Sequence, residues 1–385
     1  MTGQRPFLIV PLLLSLASVP HALAGTTSAN FLTENLNARQ VGLGGVNVVG
    51  VEGADSILSN PSGLSSLRRP EVEFSFATGH DDSRYSALSY GYPLSLMNMK
   101  FGVGGSLLFY TAGTIDVHSL DGTSRSFNAE TSYLGALSFG ARINRYVSAG
   151  VTPKFAMSTL VEQYRARAFA LDAGVMLYPL HNWVGEKFTA GASLQNLGSQ
   201  ITYKTAGNDL PRTESFGFSA VTPENATLGS LLGAYQGEKA SGQIMTHRVS
   251  AEYARGRYNS RAVFLRAGMR LNTHHENYSV GLGFREARFQ MDYAFLSEID
   301  FGLSHRVTVS FRFGEDLPKA GKDEKIELID LRKEIEPAKK DQDTLMKDYY
   351  KDELPLIKEK PKNEDEYYLQ DDDEIRRKKK EEEQE

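Results

Sequence analysis

Six charged residues fall where an alternating pattern would place them on one side of a sheet: Asp172, Arg266, Arg270, Asp292, Arg306 and Arg312. Val263, Leu265, Ala267, Met269 and Leu271 share one face, and Phe264 and Gly268 share the other with Arg266 and Arg270. Phe169, Leu171, Ala173 and Val175 oppose Asp172. Phe289, Met291, Tyr293 and Phe295 oppose Gln290 and Asp292. An isolated charge in a dry interior is very costly, so charges on an enclosed face must pair or stay hydrated. Two chemistries fit. One is an ion-pair network that holds an internal segment against a wall. The other is an arginine ladder that meets an anionic head group, such as a carboxylate.

Covalent and metal chemistry have less to stand on. Gly42-Leu43-Gly44 starts like a dinucleotide fingerprint, but Asn47 replaces its third glycine and no strand–helix unit surrounds it. His274-His275-Glu276 lies between Asn272 and Asn277, which signals a solvated loop. Adjacent histidines on a strand would in any case point to opposite faces, so no metal site is expected. There is no GxSxG element. The absence of cysteine excludes thiol nucleophiles, zinc fingers and Cys-ligated clusters, and leaves the chain without disulfides. The expectation is a protein that is not an enzyme and has no cofactor, metal or nucleic-acid partner.

The elements that would position the charges are strands. Between Glu71 and Phe313, strand-like segments of roughly 9–12 residues recur between Gly-, Asn-, Asp- and Pro-rich turns. Thirteen can be read, from Glu71–Thr78 through Thr213–Val221 and His247–Ala254 to His305–Phe313. A weak fourteenth is expected in Thr114–His118 or Arg125–Glu130. A soluble sandwich and a transmembrane barrel share this alternation. The lengths favour the barrel, because a tilted spanning strand needs roughly 9–11 residues and soluble strands run about 5–6. Tyr92, Tyr110, Tyr178, Phe295 and Phe313 lie at strand ends, as an interfacial girdle requires. No helical segment is available to cover a second sheet face, and closure removes the edges that lipid would not tolerate. The fold class expected is all-β: a transmembrane antiparallel barrel of about 14 strands.

Both ends of the chain differ from its middle. Pro6 to Val19 is apolar, follows Arg5 and runs into Ala22-Leu23-Ala24-Gly25, the pattern of a secretory signal peptide over 1–24. At the other end, 25 acidic and 17 basic residues crowd residues 314–385, a net charge of −8 against −5 for the whole chain. Such a tail has too few apolar residues to offset its ordering entropy, and most of it is expected to be disordered. Phe311 and Phe313 end the last strand with the aromatic pattern that barrel-insertion machinery reads. With an even strand number both termini face the periplasm, so the tail would be periplasmic and open to a partner there.

One stretch, Ala38 to Arg69, is neither strand nor tail. It carries Ala38-Arg39, Gly42-Leu43-Gly44-Gly45, Asp55 and Asn60-Pro61-Ser62-Gly63-Leu64. These residues, with Val151-Thr152-Pro153-Lys154, Leu171-Asp172-Ala173-Gly174, Leu194-Gln195-Asn196-Leu197-Gly198 and Met291-Asp292-Tyr293-Ala294, resemble the PorV/PorQ-like outer-membrane proteins. Those are similar in turn to the FadL-type transporters of hydrophobic compounds. The resemblance covers about residues 38–313; Ser62 departs from it, since the family usually has Ala there. It implies a 14-stranded barrel over 70–313 with residues 25–69 folded into the lumen as a hatch. Gly42, Gly44, Gly45, Asn60, Pro61, Ser62 and Gly63 would be the hatch residues. It also implies a FadL-like channel for hydrophobic or amphipathic small molecules, in contact with outer-membrane lipid. The alternative is a PorV-like scaffold for protein secretion or surface attachment.

Overall fold

The structure, a computed structural model, describes residues 27–315 apart from 80–81, 97–98, 119–122, 180–187, 206, 223–228, 257–260, 273–276 and 299–301. The signal peptide expected over 1–24, the His274-His275 pair and the tail beyond residue 315 lie outside the described residues.

Alternation dictates the architecture. Among the described residues sixteen strands form in chain order: β1 (Glu71–Thr78), β2 (Arg84–Leu96), β3 (Met99–His118), β4 (Ser124–Arg142), β5 (Val147–Leu160), β6 (Tyr164–Leu177), β7 (Phe188–Gly198), β8 (Ile201–Thr202), β9 (Gly207–Asn208), β10 (Thr213–Val221), β11 (Ser230–Ala240), β12 (Thr246–Gly256), β13 (Arg261–Leu271), β14 (Asn277–Glu286), β15 (Phe289–Glu298) and β16 (Gly302–Arg312). Fourteen of them close one antiparallel barrel, and β8 and β9 pair as a separate short hairpin. Closure joins β1 to β16 with Glu71 opposite Arg312 and Phe74 opposite Val309. We call the rim holding Glu71 and Arg312 the near rim and the one holding Thr78 the far rim.

The barrel and its strand number match the sequence-based expectation; the position of one strand does not. Thr114–His118 and Arg125–Glu130 do not form a separate strand. They extend β3 and β4, with Ile115 opposite Phe127. The missing strand is β11. Its outward residues include Leu231 and Tyr235, but its inward ones include Leu232 and Ala234. With apolar side chains on both faces, the period-two signal vanishes.

The outer surface is apolar. Leu107, Leu137 and Phe169 are 67%, 70% and 65% exposed, and Leu88, Phe109, Val263, Leu282 and Phe284 join them. A soluble monomer rarely shows such a continuous belt; lipid supplies the solvent that it needs. Two of the five strand-end aromatics are exceptions. Tyr110 and Tyr178 share the parity of buried Leu108 and Met176 and turn inward. Tyr92 stays outside, 43% exposed.

The N-terminal residues 27–69 run through the barrel interior. A short 3₁₀ turn, Asn30–Leu32, packs near the far rim with Ala77, Tyr85 and Leu108. Helix α1 (Ala38–Gly42) lies against β13, β14, β15 and β16, capped by the Asn37 side chain. Two further 3₁₀ turns, Gly53–Leu58 and Pro61–Ser66, reach the near-rim half against β1 to β6. Gly44 and Gly45 have φ of 67° and 84°, so the turn after α1 needs residues without a Cβ penalty.

Candidate functional site

The interior divides into layers, each built from a strand face and a part of the N-terminal segment. Nearest the far rim the wall turns small and apolar side chains inward: Ala77, Ala87, Leu108, Leu134, Ala156 and Ala168. Phe31, Leu32 and Leu36 fill the space they leave. The Phe31 ring stacks on Tyr110 at 5.9 Å and 9°, and Tyr110 stacks on Tyr85 at 4.4 Å. This layer escaped sequence reading because its strands contrast large with small residues, not apolar with polar.

Arg306 closes that layer. It is buried, and its guanidinium donates to the Thr78 carbonyl, the Ser304 hydroxyl and the Glu34 carboxylate. Across the far rim, Arg248 pairs with Glu238 and donates to the Gly45 carbonyl. Arg270 donates from Nε to the Gly44 carbonyl at 3.2 Å.

A central network follows. Arg39 of α1 meets Glu252 at 3.1 Å, Glu252 meets Arg266 at 2.6 Å, and Arg266 meets Asp292 at 2.6 Å. The arginine from the segment and the arginine from the wall thus share one carboxylate. Such groups tolerate burial only as a set, because removing one partner leaves an uncompensated charge. Glu252 was not singled out in the sequence; it sits opposite Arg266 on β12, and only strand register reveals the pairing.

Near the other rim, acids outnumber bases around a polar cavity of about 30 Å³, roomy enough for a water. Arg312 holds Glu71 at 3.0 Å. Glu73 accepts from Asn37 at 3.1 Å and from Ser310 at 3.2 Å. Asp55 of the segment accepts from Gln40 at 3.3 Å, while its Oδ1 is shielded and has no hydrogen-bond partner among the described residues. Burial pushes the Asp55 carboxyl up to about 7, with Arg39 opposing and Glu71 adding to the rise.

Asp172 belongs to the wall itself. It pairs with Lys154 on β5, both fully shielded, and accepts from the Asn196 backbone at 2.8 Å. The register of β6 against β7 shifts at this point, between Leu171 and Ala173. Asn196 has φ 59° and its side chain accepts from Lys154, so one ion pair and one amide hold the bulge.

Asn60, Pro61, Ser62 and Gly63 rest on a floor of glycines. Gly102, Gly140, Gly150 and Gly174 lie in register across β3, β4, β5 and β6. A Cβ on Gly102 would meet the Leu64 carbonyl oxygen at 2.1 Å, and one on Gly150 would meet the Pro61 carbonyl carbon at 2.4 Å. Asn60 spends its whole side chain here. Its Nδ2 donates to the carbonyls of Val48 at 2.8 Å and Val175 at 3.3 Å, and its Oδ1 accepts from the Ser62 backbone at 3.2 Å and hydroxyl at 2.7 Å. Across the lumen, Gly42 touches Gly281 and Gly44 touches Gly268. Phe313 donates its backbone N–H to Pro70 at 3.0 Å, and its ring stacks beside Tyr90 and Phe311. Among the described residues no group of three or more His, Cys, Asp or Glu is placed to hold a metal ion.

No family model matches the chain, and no curated protein matches it. Solved structures do. The Pseudomonas putida toluene transporter TodX is 12% identical with a TM-score of 0.48, over 72% of this chain and 98% of that one. The Ralstonia pickettii toluene transporter TbuX is 12% identical with a TM-score of 0.49, over 74% of this chain and 100% of that one. A Pseudomonas aeruginosa FadL homologue is 10% identical with a TM-score of 0.46, over 76% and 100%. A PorV- or PorQ-like identity is not shown.

Proposed function

We propose that this barrel is an outer-membrane channel through which hydrophobic or amphipathic small molecules pass, with residues 27–69 as its hatch. The observation that carries the reading is the apolar layer inside the far rim. A porin lumen is polar and water-filled. Here the inward wall offers Ala77, Ala87, Leu108, Leu134 and Ala156, and the chain's own Phe31, Leu32 and Leu36 occupy the space. An apolar solute that displaced them would find a matching surface. The apolar outer belt supports a place in the outer membrane of a diderm bacterium, with the near rim toward the periplasm. Below the apolar layer, Asn60 and the glycine floor hold the near-rim half shut. Gly42, Gly44, Gly45, Pro61, Ser62 and Gly63 serve the hatch by allowing backbone to lie on backbone. Asp172 keeps the wall in register, while Arg266, Asp292, Arg270, Arg306 and Arg312 hold or face the segment. Phe311 and Phe313 would present the insertion signal. The secretion-scaffold alternative draws on residues 314–385 and on no feature of the described lumen.

Liposome entry tests the reading. Reconstituted protein should speed entry of N-phenyl-1-naphthylamine and leave sucrose excluded. Asn60→Ala removes four hydrogen bonds from the hatch and should change the entry rate several-fold without preventing insertion. Sucrose flux in the unaltered protein, or no effect on the apolar probe, would overturn it.

A further inference from the structure

The N-terminal segment does not fill the far-rim layer with hydrocarbon alone. It inserts a ring and an acid. Phe31 is 2% exposed and stacks in a three-ring column with Tyr110 and Tyr85. Three residues later, Glu34 places its carboxylate on the Arg306 guanidinium. Ala77 of β1 lies opposite Arg306 on one side and Tyr85 on the other, so the ring column and the ion pair adjoin in one site.

Arg306 makes this informative. Its side chain is 2% exposed, whereas that of Glu34 is 34% exposed. Its other acceptors are the Ser304 hydroxyl and the carbonyls of Thr78, His305 and Asn35. The only carboxylate paired with it among the described residues therefore belongs to the N-terminal segment. When that segment withdraws, Arg306 loses its counter-charge and the Asn35 carbonyl together. A neutral apolar solute entering the layer would leave a buried guanidinium uncompensated. A solute that brings its own carboxylate would not, and a planar oxyanion suits the guanidinium fork.

We infer that the far-rim layer takes aromatic carboxylates, an aryl ring joined to the acid by a short aliphatic linker, and that Phe31 and Glu34 are its built-in competitor. This rests on the channel reading and sharpens its substrate class. The ring replaces Phe31 on Tyr110, and the carboxylate replaces Glu34 on Arg306.

The test uses the mature chain purified in detergent at pH 7.5. Three probes are titrated calorimetrically: 4-phenylbutyrate, its neutral amide 4-phenylbutyramide, and n-butylbenzene. The acid should bind at least about tenfold more tightly than the amide. Arg306→Gln should erase that ratio. Glu34→Gln removes the internal anion from a part-exposed position, so it should tighten the acid about fivefold or more and the amide by less. Should Arg306→Gln fail to fold, the Glu34→Gln comparison decides alone. Equal binding of acid and amide, or an acid affinity indifferent to Glu34→Gln, would overturn the inference. If butylbenzene binds as well as the acid, the channel stands and this substrate class falls. If none of the three binds, both fall.

Discussion

Asp172 and Lys154 show how much one residue can carry in this wall. Both are fully shielded, and each is the other's only ion-pair partner among the described residues. Asp172→Asn strands the ammonium and should lower stability by about 3–5 kcal/mol, read as the urea midpoint in detergent micelles. Replacing both with apolar residues, Asp172→Leu with Lys154→Met, should recover most of that loss, because no charge is then left buried. The glycine floor makes a second prediction. A Cβ at Gly150 meets main-chain atoms of Pro61 and Ser62 that cannot rotate away. Gly150→Ala should cost about 1–3 kcal/mol and speed entry of an apolar probe. Asp55 adds a pH dependence. Its carboxyl ordinarily titrates near 3.8 and here near 7, so between about pH 4 and 7 the released segment gives up a proton that the docked one keeps. Docking therefore weakens as pH rises through that window and levels off above it. Hydrogen exchange over residues 53–66 should quicken from pH 4 to 8 after correction for intrinsic rates. Asp55→Asn should remove that dependence.

Among the elements, β11 and the β3–β4 pair carry opposite lessons. Strand β11 was hidden because Leu232 and Ala234 face inward as Leu231 and Tyr235 face outward. In β3 and β4, the separate strand expected in Thr114–His118 or Arg125–Glu130 is instead the continuation of the same two strands, in register to His118 and Ser124. Pairing explains both, and pairing is a non-local property. The last strand allows a test at this scale. Phe313 ends it with a ring beside Phe311 and Tyr90. Phe313→Ser should slow assembly into membranes by insertion machinery and leave the assembled barrel's unfolding midpoint nearly unchanged. Pulse-chase with heat-modifiability on gels separates the two.

For the whole molecule, the decisive surface is the outer one. Leu137 is 70% exposed, so in a soluble protein Leu137→Arg would be nearly neutral. In hydrocarbon the same change should cost about 2–4 kcal/mol near the midplane and fall to about 0–1 kcal/mol near a rim. Arginine placed in turn at Leu137, Phe139 and Ile143 would trace that depth profile through folding free energies in lipid vesicles. A flat profile would remove the bilayer from the account of this fold.

The order of apolar and polar residues along the chain was enough for the barrel, since a period of two over long segments has few other solutions. It also set Asp172, Arg266, Asp292 and Arg306 on the face opposite the apolar stripes, because strand parity is a local property. Composition alone isolated residues 314–385 from the rest. The partners of those charges were beyond sequence reading. Glu252 lies 14 residues from Arg266 and 213 from Arg39, and it meets both only after the sheet has closed around the segment. The glycine floor was equally hidden, since Gly102, Gly140, Gly150 and Gly174 become one surface only through the register of four strands. Side-chain direction is set by neighbours in the chain, whereas charge compensation and close packing depend on residues brought together by closure; the first could be read from sequence, and the second only tertiary structure decided.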